Sequence, residues 1–200
     1  MDIALKYLDL DSILRLLGYR DAPLSARGLD KLHAACQTIF RIARPRATYR
    51  LFPFAGAPDC VLMAATLGAE VDLELRRTQV TDMELAALLD AAASVAIEQV
   101  CDIVCEELRD LAATKGRFLT PRFSPGYGNL PLSMQGELCA ILDTAKIGLQ
   151  VTDHFLLTPQ KSVTAILGLT KEPQTARVDA CATCRIAETC ILRKAGNPCG

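Results

Sequence analysis

Hydrophobic and polar positions along the chain repeat with periods that predict both helices and strands. The longest helical pattern follows Thr81, where leucine, alanine and valine recur every three or four residues towards Lys115. Thr81 and Glu84 have the spacing of a capping box, so we expect this helix to begin at Thr81. Its run DAAASVAIE is rich in small residues, which lets another backbone approach closely. We call this predicted element the spine helix.

Shorter patterns lie on both sides of the spine helix. Asp11 opens a short amphipathic helix that ends near Gly18, and Ser25 caps a longer helix that is stopped by Pro45. ATYRLFPF alternates and predicts a strand, and CVLMAATLGAEVDLELRR predicts a buried strand, a turn and the start of a helix. Residues 133–142 predict a helix, and KIGLQVTDHFLL and SVTAILGLT predict two β segments joined by the turn TPQK.

The order of these elements predicts the fold class and the domain organisation. Strands are mixed irregularly with long helices, which favours an α+β fold over a regular βαβ repeat. After residue 170 the chain becomes polar and rich in cysteine. We therefore expect one α+β domain over 1–170, with a helical part at 1–50, and a separate Cys-rich tail over 171–200.

Composition and charge exclude several classes of function. Half of the 200 residues are hydrophobic, which is enough for a sizeable core. The formal net charge is −1 with both signs spread along the chain, so nothing favours binding to nucleic acid or to a membrane surface. Charges interrupt every apolar run before it could span a bilayer, and MDIALKYLDLDS lacks the order of a signal peptide. We expect a cytoplasmic protein.

The nine cysteines fall into two groups. Five lie in apolar surroundings and predict small buried side chains: Cys36, Cys60, Cys101, Cys105 and Cys139. Four crowd into the last twenty residues and are candidate metal ligands: Cys181, Cys184, Cys190 and Cys199. Thiolates at close spacing suit Zn²⁺ or an iron–sulfur cluster, and the other interpretation is a flexible thiol tail. The odd total without an export signal argues against a disulfide framework.

The stretch RFSPGYGNLPLS, residues 122–133, differs from the apolar runs around it. Pro125 fixes φ and Gly126 permits positive φ, so Ser-Pro-Gly-Tyr suits a type II turn. One interpretation is a plain connection with Tyr127 packed on the core. In the other, Arg122 offers a planar fork for a carboxylate and Tyr127 offers a ring and a hydroxyl. The stretch would then bind a polar small molecule, such as an amino acid attached to a nucleoside.

RFSPGY resembles the Arg-x-x-x-Gly-Tyr motif in the reactivation (activation) domain of cobalamin-dependent methionine synthase. The resemblance takes in AATLGAEVD, the spine helix with Glu98, RFSPGYGNLPLSMQ, AKIGLQVTDHFLLTPQKSVTAILGL and the cysteine tail. It covers most of residues 60–193 and is closer to short free-standing bacterial proteins than to the domain within the large enzyme. The implied fold is a mixed, largely antiparallel sheet packed with long helices.

The resemblance also implies a function. Such a protein binds S-adenosylmethionine (AdoMet) and supports reductive methylation of cob(II)alamin carried by a partner. Six residues would bind AdoMet by their position in the matching segments: Glu98, Arg122, Ser124, Pro125, Gly126 and Tyr127. Of these, Arg122 would bind the carboxylate end and Tyr127 would help to hold the ligand.

The implied partner is a cobalamin-binding methionine synthase or another corrinoid protein, with an electron donor such as flavodoxin or ferredoxin. The cobalt performs the methyl transfer, while the chain positions the donor methyl group and excludes water. The partner would complete the active site, so we assign no catalytic acid or base and leave open whether the chain alone counts as an enzyme.

Two alternatives stay open at this level. Between about Phe52 and Cys60 the chain is shorter than its relatives, and after Gly-Tyr it reads GNLPLS where the large enzyme's domain continues differently. If part of the AdoMet site is absent, the chain is a non-catalytic binding or assembly module with a structural metal on its tail cysteines. The other alternative is an iron–sulfur electron-transfer protein that serves a corrinoid protein.

Overall fold

An antiparallel sheet lies between two layers of helices. The computed structural model describes residues 1–19, 24–54, 59–128, 130–173, 187–190 and 194. The helices are α1 (Leu10–Leu16), α2 (Ala26–Ile42), α3 (Ala69–Thr81), α4 (Met83–Ala113) and α5 (Met134–Leu142), followed by a 3-10 helix (Thr144–Ile147). The strands are β1 (Arg46–Leu51), β2 (Cys60–Thr66), β3 (Phe118–Leu119), β4 (Gln150–Val151), β5 (Leu157–Thr158) and β6 (Ser162–Thr170). The predicted α+β fold class is confirmed.

The main sheet has four strands in the order β1-β2-β6-β3, and all neighbours are antiparallel. Met63 in the middle of β2 pairs with Tyr49 of β1 on one side and with Ala165 of β6 on the other. Strands β4 and β5 form a separate two-stranded ribbon. The largely antiparallel sheet implied by the resemblance is therefore observed.

Strand β2 separates two hydrophobic cores, because alternate side chains point to opposite faces of a sheet. All seven of its residues are buried. Met63 belongs to the larger core, which includes side chains of α2, α3 and α4. Leu62 belongs to the smaller core, which includes side chains of α5 and the 3-10 helix. Burial on both faces explains why this strand is a continuous apolar run up to its last residue, Thr66, which is buried and polar.

The spine helix is α4, and its predicted start at Thr81 is wrong by two residues. Thr81 is the last residue of α3, and the N-cap of α4 is Asp82, whose side chain accepts a hydrogen bond from the Leu85 amide at 3.0 Å. A single extended residue, with φ −152°, separates the two helices. Because α3 continues up to this break, Thr81 is unavailable as a cap and the capping-box prediction fails.

Two further predictions need correction. Helix α1 is capped by Asp9 rather than by Asp11, whose own amide donates to the Asp9 carboxylate at 3.2 Å. KIGLQVTDHFLL does not form one long β segment. Its start lies in the 3-10 helix, and a tight turn in which Thr152 and Leu156 exchange hydrogen bonds limits β4 and β5 to two residues each.

The remaining predicted elements are confirmed. The Ser25 hydroxyl caps α2 by accepting from the Gly28 amide at 3.1 Å. Strand β1, the β2–turn–α3 unit, helix α5 and strand β6 lie where the patterns predicted them. The five cysteines expected in the core are all buried free thiols. No helix in the described parts of the chain is long and apolar enough to cross a bilayer. The division of the chain at residue 170 stays a prediction.

Candidate functional site

The stretch SPGY forms the type II turn that its sequence predicts. The Tyr127 amide donates to the Ser124 carbonyl at 3.2 Å, and Gly126 has φ +93°. A Cβ atom at Gly126 would be strained at this φ and would lie 3.3 Å from Leu132. The Gly126 amide donates to the Leu130 carbonyl at 2.8 Å. The amides of Gly126 and Tyr127 and the carbonyls of Ser124 and Tyr127 are therefore used within the loop. The carbonyl oxygens of Pro125 and Gly126 accept no hydrogen bond in the described residues and are the turn's acceptors for a ligand.

The loop is attached to the sheet immediately before this turn. Phe123 and Ile166 of β6 exchange two backbone hydrogen bonds of 3.0 and 2.8 Å. Two residues further along β6, Gly168 exchanges hydrogen bonds with Thr120, and a Cβ atom at Gly168 would lie 3.0 Å from the Thr120 methyl carbon. These attachments fix the position of Arg122, which lies between Thr120 and Phe123 and reaches towards α4.

Arg122 forms ion pairs with two carboxylates of α4. Its Nη2 lies 2.8 Å from Glu98 Oε2, and its Nη1 lies 3.0 Å from Asp102 Oδ1. Glu98 and Asp102 are four residues apart, so they occupy the same edge of the helix on successive turns. The Arg122 side chain is 24% exposed, whereas the side chains of Glu98 and Asp102 are 59% and 65% exposed. The planar guanidinium is thus held in a defined orientation next to solvent.

Two buried thiols lie on the inner side of this ion-pair cluster. The Cys105 sulfur is 4.0 Å from Arg122 Nη1. Burial raises the pKa of the Cys101 thiol to about 12, and burial also raises the pKa of the Cys105 thiol. Burial alone would lower the pKa of the Arg122 guanidinium, but Cys101, Glu98, Cys105 and Asp102 together raise it above its ordinary value. Near neutral pH the arginine is therefore charged and the thiols beneath it are not.

The structure brings Arg122 and Glu98 together, as their shared site requires. Pro125 is buried and Ser124 is half-buried, while Gly126 is exposed. Tyr127 is 77% exposed, so the interpretation in which this side chain packs on the core is wrong. The loop thus carries an exposed ring five residues after a fixed arginine. That these residues bind AdoMet stays a prediction.

Sequence reasoning missed Asp102. A signal was present, because Asp102 follows Glu98 at the helical interval of four and lies on the same edge of the spine helix. The cluster of Arg122, Glu98 and Asp102 is suited to binding a charged ligand. A guanidinium flanked by two exposed carboxylates can bind a ligand that carries both negative and positive groups.

The predicted metal site falls mostly outside the described residues. Cys181, Cys184 and Cys199 are among the residues that the structure does not describe, and Cys190 is a half-buried free thiol. The described ranges contain no group of three or more His, Cys, Asp or Glu side chains placed to hold a metal ion. The metal site therefore stays a prediction. Residues 55–58, within the segment predicted to be short, also lie outside the description.

Comparison with known proteins identifies the fold. No family model matches the chain, and no curated protein matches it. Among solved structures, it is similar to the crystal structure of the MetH reactivation domain bound to AdoHcy. The match covers 92% of this chain and 76% of that chain, with a TM-score of 0.61 and 15% sequence identity. The chain has a reactivation-domain-like fold, and the fold expected from the RFSPGY resemblance is confirmed.

Proposed function

We propose that this protein binds AdoMet at the Arg122 site and assists the reductive reactivation of a corrinoid-dependent methionine synthase or a related methyltransferase. One observation carries the proposal. Arg122 is fixed beside Glu98 and two residues before the Ser-Pro-Gly-Tyr turn, within a fold similar to that of a domain solved with AdoHcy bound. AdoHcy is the product that AdoMet leaves when it gives up its methyl group.

The residues of the site suit the two polar ends of AdoMet. Arg122 donates to the ligand carboxylate, exchanging part of its contact with Glu98 for a new charge-assisted hydrogen bond. The released carboxylate then accepts from the ligand ammonium. The turn carbonyls accept from hydroxyl or amino groups of the nucleoside, and the exposed Tyr127 ring covers it. These contacts orient the donor methyl group.

The proposed reaction needs a partner. Cob(II)alamin on a corrinoid protein accepts one electron and a methyl group, and AdoHcy leaves the site. The electron comes from an electron donor such as flavodoxin or ferredoxin, and the cobalt carries out the chemistry. This chain contributes binding, orientation and exclusion of water, so its residues act before and during methyl transfer without moving a proton.

Calorimetric titration with AdoMet tests the proposal. Wild type should bind, and Arg122→Ala should weaken binding by about 10- to 100-fold, since a hydrogen bond between charged groups contributes about 1.5–3 kcal/mol. Arg117→Ala is the matched control, because Arg117 forms one ion pair, with Asp59 at 3.1 Å, outside the site. This control should bind AdoMet as wild type does.

Two results would contradict the proposal. One is the absence of AdoMet binding by wild type, both alone and with a corrinoid protein present. The other is equal loss of affinity in the Arg122 and Arg117 variants, which would place the ligand elsewhere. Absence of binding would return the chain to the class of non-catalytic binding or assembly modules.

A further inference from the structure

The charges around Arg122 do not balance. Its single positive charge faces two carboxylates, Glu98 and Asp102, so the cluster carries one excess negative charge. Both carboxylates are in contact with solvent. Neighbouring groups along α4 do not remove this excess. The cation Lys161 is already paired at 2.8 Å with Asp90, two turns before Glu98.

The next turn of α4 does not supply the missing positive charge. Glu106 is exposed one turn beyond Asp102, and in the described part of the chain it forms no ion pair with Arg122. Arg109 lies seven residues beyond Asp102, about 10 Å further along the helix, and its charge acts on the Cys105 thiol. In the described residues no ion pair joins it to Glu98 or Asp102. The excess negative charge is therefore local to the site and faces solvent, where a ligand can meet it.

We propose that Asp102, together with Glu98, makes the site select a cationic sulfonium ligand over the neutral thioether that remains after methyl transfer. The inference rests on the proposed function. AdoMet carries a carboxylate, an ammonium and a sulfonium, and its net charge is positive. AdoHcy lacks the sulfonium charge and is neutral overall. The positive ligand neutralises the excess charge of the cluster, and the neutral product does not.

The expected discrimination follows from Coulomb's law. For unit charges about 7–10 Å apart at a partly solvated surface, the interaction corresponds to about a threefold to tenfold preference. A second consequence concerns release. Methyl transfer removes the sulfonium charge from the bound ligand. AdoHcy therefore loses the attraction that the two carboxylates exert on AdoMet, and it dissociates more readily. Asp102 is thus a specificity-determining residue and takes no part in the chemistry.

Titration of three ligands into three proteins tests the inference. The ligands are AdoMet, AdoHcy and sinefungin, in which a carbon that bears an ammonium group replaces the methylated sulfur and keeps the positive charge. The proteins are wild type, Asp102→Asn and Glu106→Gln, which removes a matched acid one turn away on the same edge. In Asp102→Asn, AdoMet and sinefungin should each lose about threefold to tenfold in affinity, while AdoHcy should change less than about twofold. Glu106→Gln should keep the wild-type ratios.

Salt provides a second measurement that needs no variant. Raising NaCl from 50 to 500 mM should reduce the wild-type preference for AdoMet over AdoHcy, because exposed charges are screened. The inference is overturned if wild type binds both ligands equally, or if its preference is unaffected by salt. It is also overturned if Asp102→Asn weakens all three ligands by the same factor, which would make Asp102 a support for Arg122 alone. In these cases AdoMet still binds and the proposed function stands, whereas a wild type that binds none of the ligands refutes both.

Discussion

On the side of α4 that faces the sheet, Cys101 and Cys105 are buried and uncharged, whereas on its open edge Glu98 and Asp102 are charged and exposed. The two sides meet at consecutive residues of the chain, Cys101 and Asp102. The buried thiols stabilise the fold by packing and by keeping their protons. The exposed carboxylates contribute little to folding, since ion pairs in contact with water are weak. The helix therefore serves as core on one side and as a candidate binding surface on the other.

Alkaline pH should expose the largest difference between the two sides. Burial raises the Cys101 pKa from 9.0 to about 12, so the thiol ionises more readily in the unfolded chain. The free energy of unfolding is therefore unaffected by this thiol below pH 9 and falls as the pH rises from 9 towards 12. The fall is about 1.4 kcal/mol per pH unit, or about 4 kcal/mol in total. Urea unfolding of the reduced protein at pH 8, 9.5 and 11 measures this slope.

Cys101→Ser is the matched variant for that measurement, because serine does not titrate in this range. Other groups, including Tyr49, whose pKa is raised by burial and by Glu107, contribute equally to both proteins. The difference between the two slopes therefore isolates Cys101. Identical slopes for wild type and variant would mean that the thiol does not distinguish the folded from the unfolded state.

Truncating one buried and one exposed methionine should give the next largest difference in stability. Met63 is fully buried, and its sulfur lies 4.0 Å from the Cys105 sulfur. Met63→Ala should lower the free energy of unfolding by about 3 kcal/mol, because it leaves a cavity between β2 and α4. Met83→Ala, at a position that is 67% exposed on the first residue of α4, should change it by less than about 0.5 kcal/mol. If chemical denaturation gave similar losses of unfolding free energy for the two variants, the assignment of Met63 to the core and Met83 to the surface would be contradicted.

Local sequence predicts individual helices and turns, but it does not predict contacts that depend on pairing between distant segments of the chain. The helical spacing after Thr81 predicted the spine helix, but not that α3 continues to Thr81 and moves the cap to Asp82. Pro125 and Gly126 predicted the turn type because these residues restrict or extend φ by themselves.

The partners of Arg122 are a different case. Which acids on α4 it meets depends on the pairing of Phe123 with Ile166, which are 43 positions apart in the chain. No local pattern encodes that register. The motif resemblance predicted Glu98 near the ligand, and Asp102 was missed although its helical spacing from Glu98 is present in the sequence. The predicted tail ligands Cys181, Cys184 and Cys199 are outside the described residues, so the structure offers no comparison for them.

A smaller loss of stability is expected from removing Lys161, the cation that pairs with Asp90 of α4. Lys161 forms an ion pair with Asp90 at 2.8 Å and donates to the Ser94 hydroxyl at 2.9 Å, and its side chain is 14% exposed. Lys161→Met should lower the free energy of unfolding by about 1 kcal/mol, since Asp90 remains hydrated and loses one partner. AdoMet affinity should stay within about twofold of wild type, because unit charges several turns apart are largely screened. A loss of affinity similar to that of Arg122→Ala would extend the binding surface to Lys161.

The smallest effect on folding should come from Asp102→Asn, the variant that changes ligand selection. The Asp102 side chain is 65% exposed, and Arg122 keeps its 2.8 Å ion pair with Glu98 when the Asp102 charge is removed. The asparagine oxygen still accepts from the guanidinium, so the free energy of unfolding should stay within about 0.5 kcal/mol of wild type. Urea unfolding of the two proteins at pH 7 measures this. A loss of more than about 2 kcal/mol would show that Asp102 belongs with Cys101 and Cys105 to the part of α4 that holds the fold together.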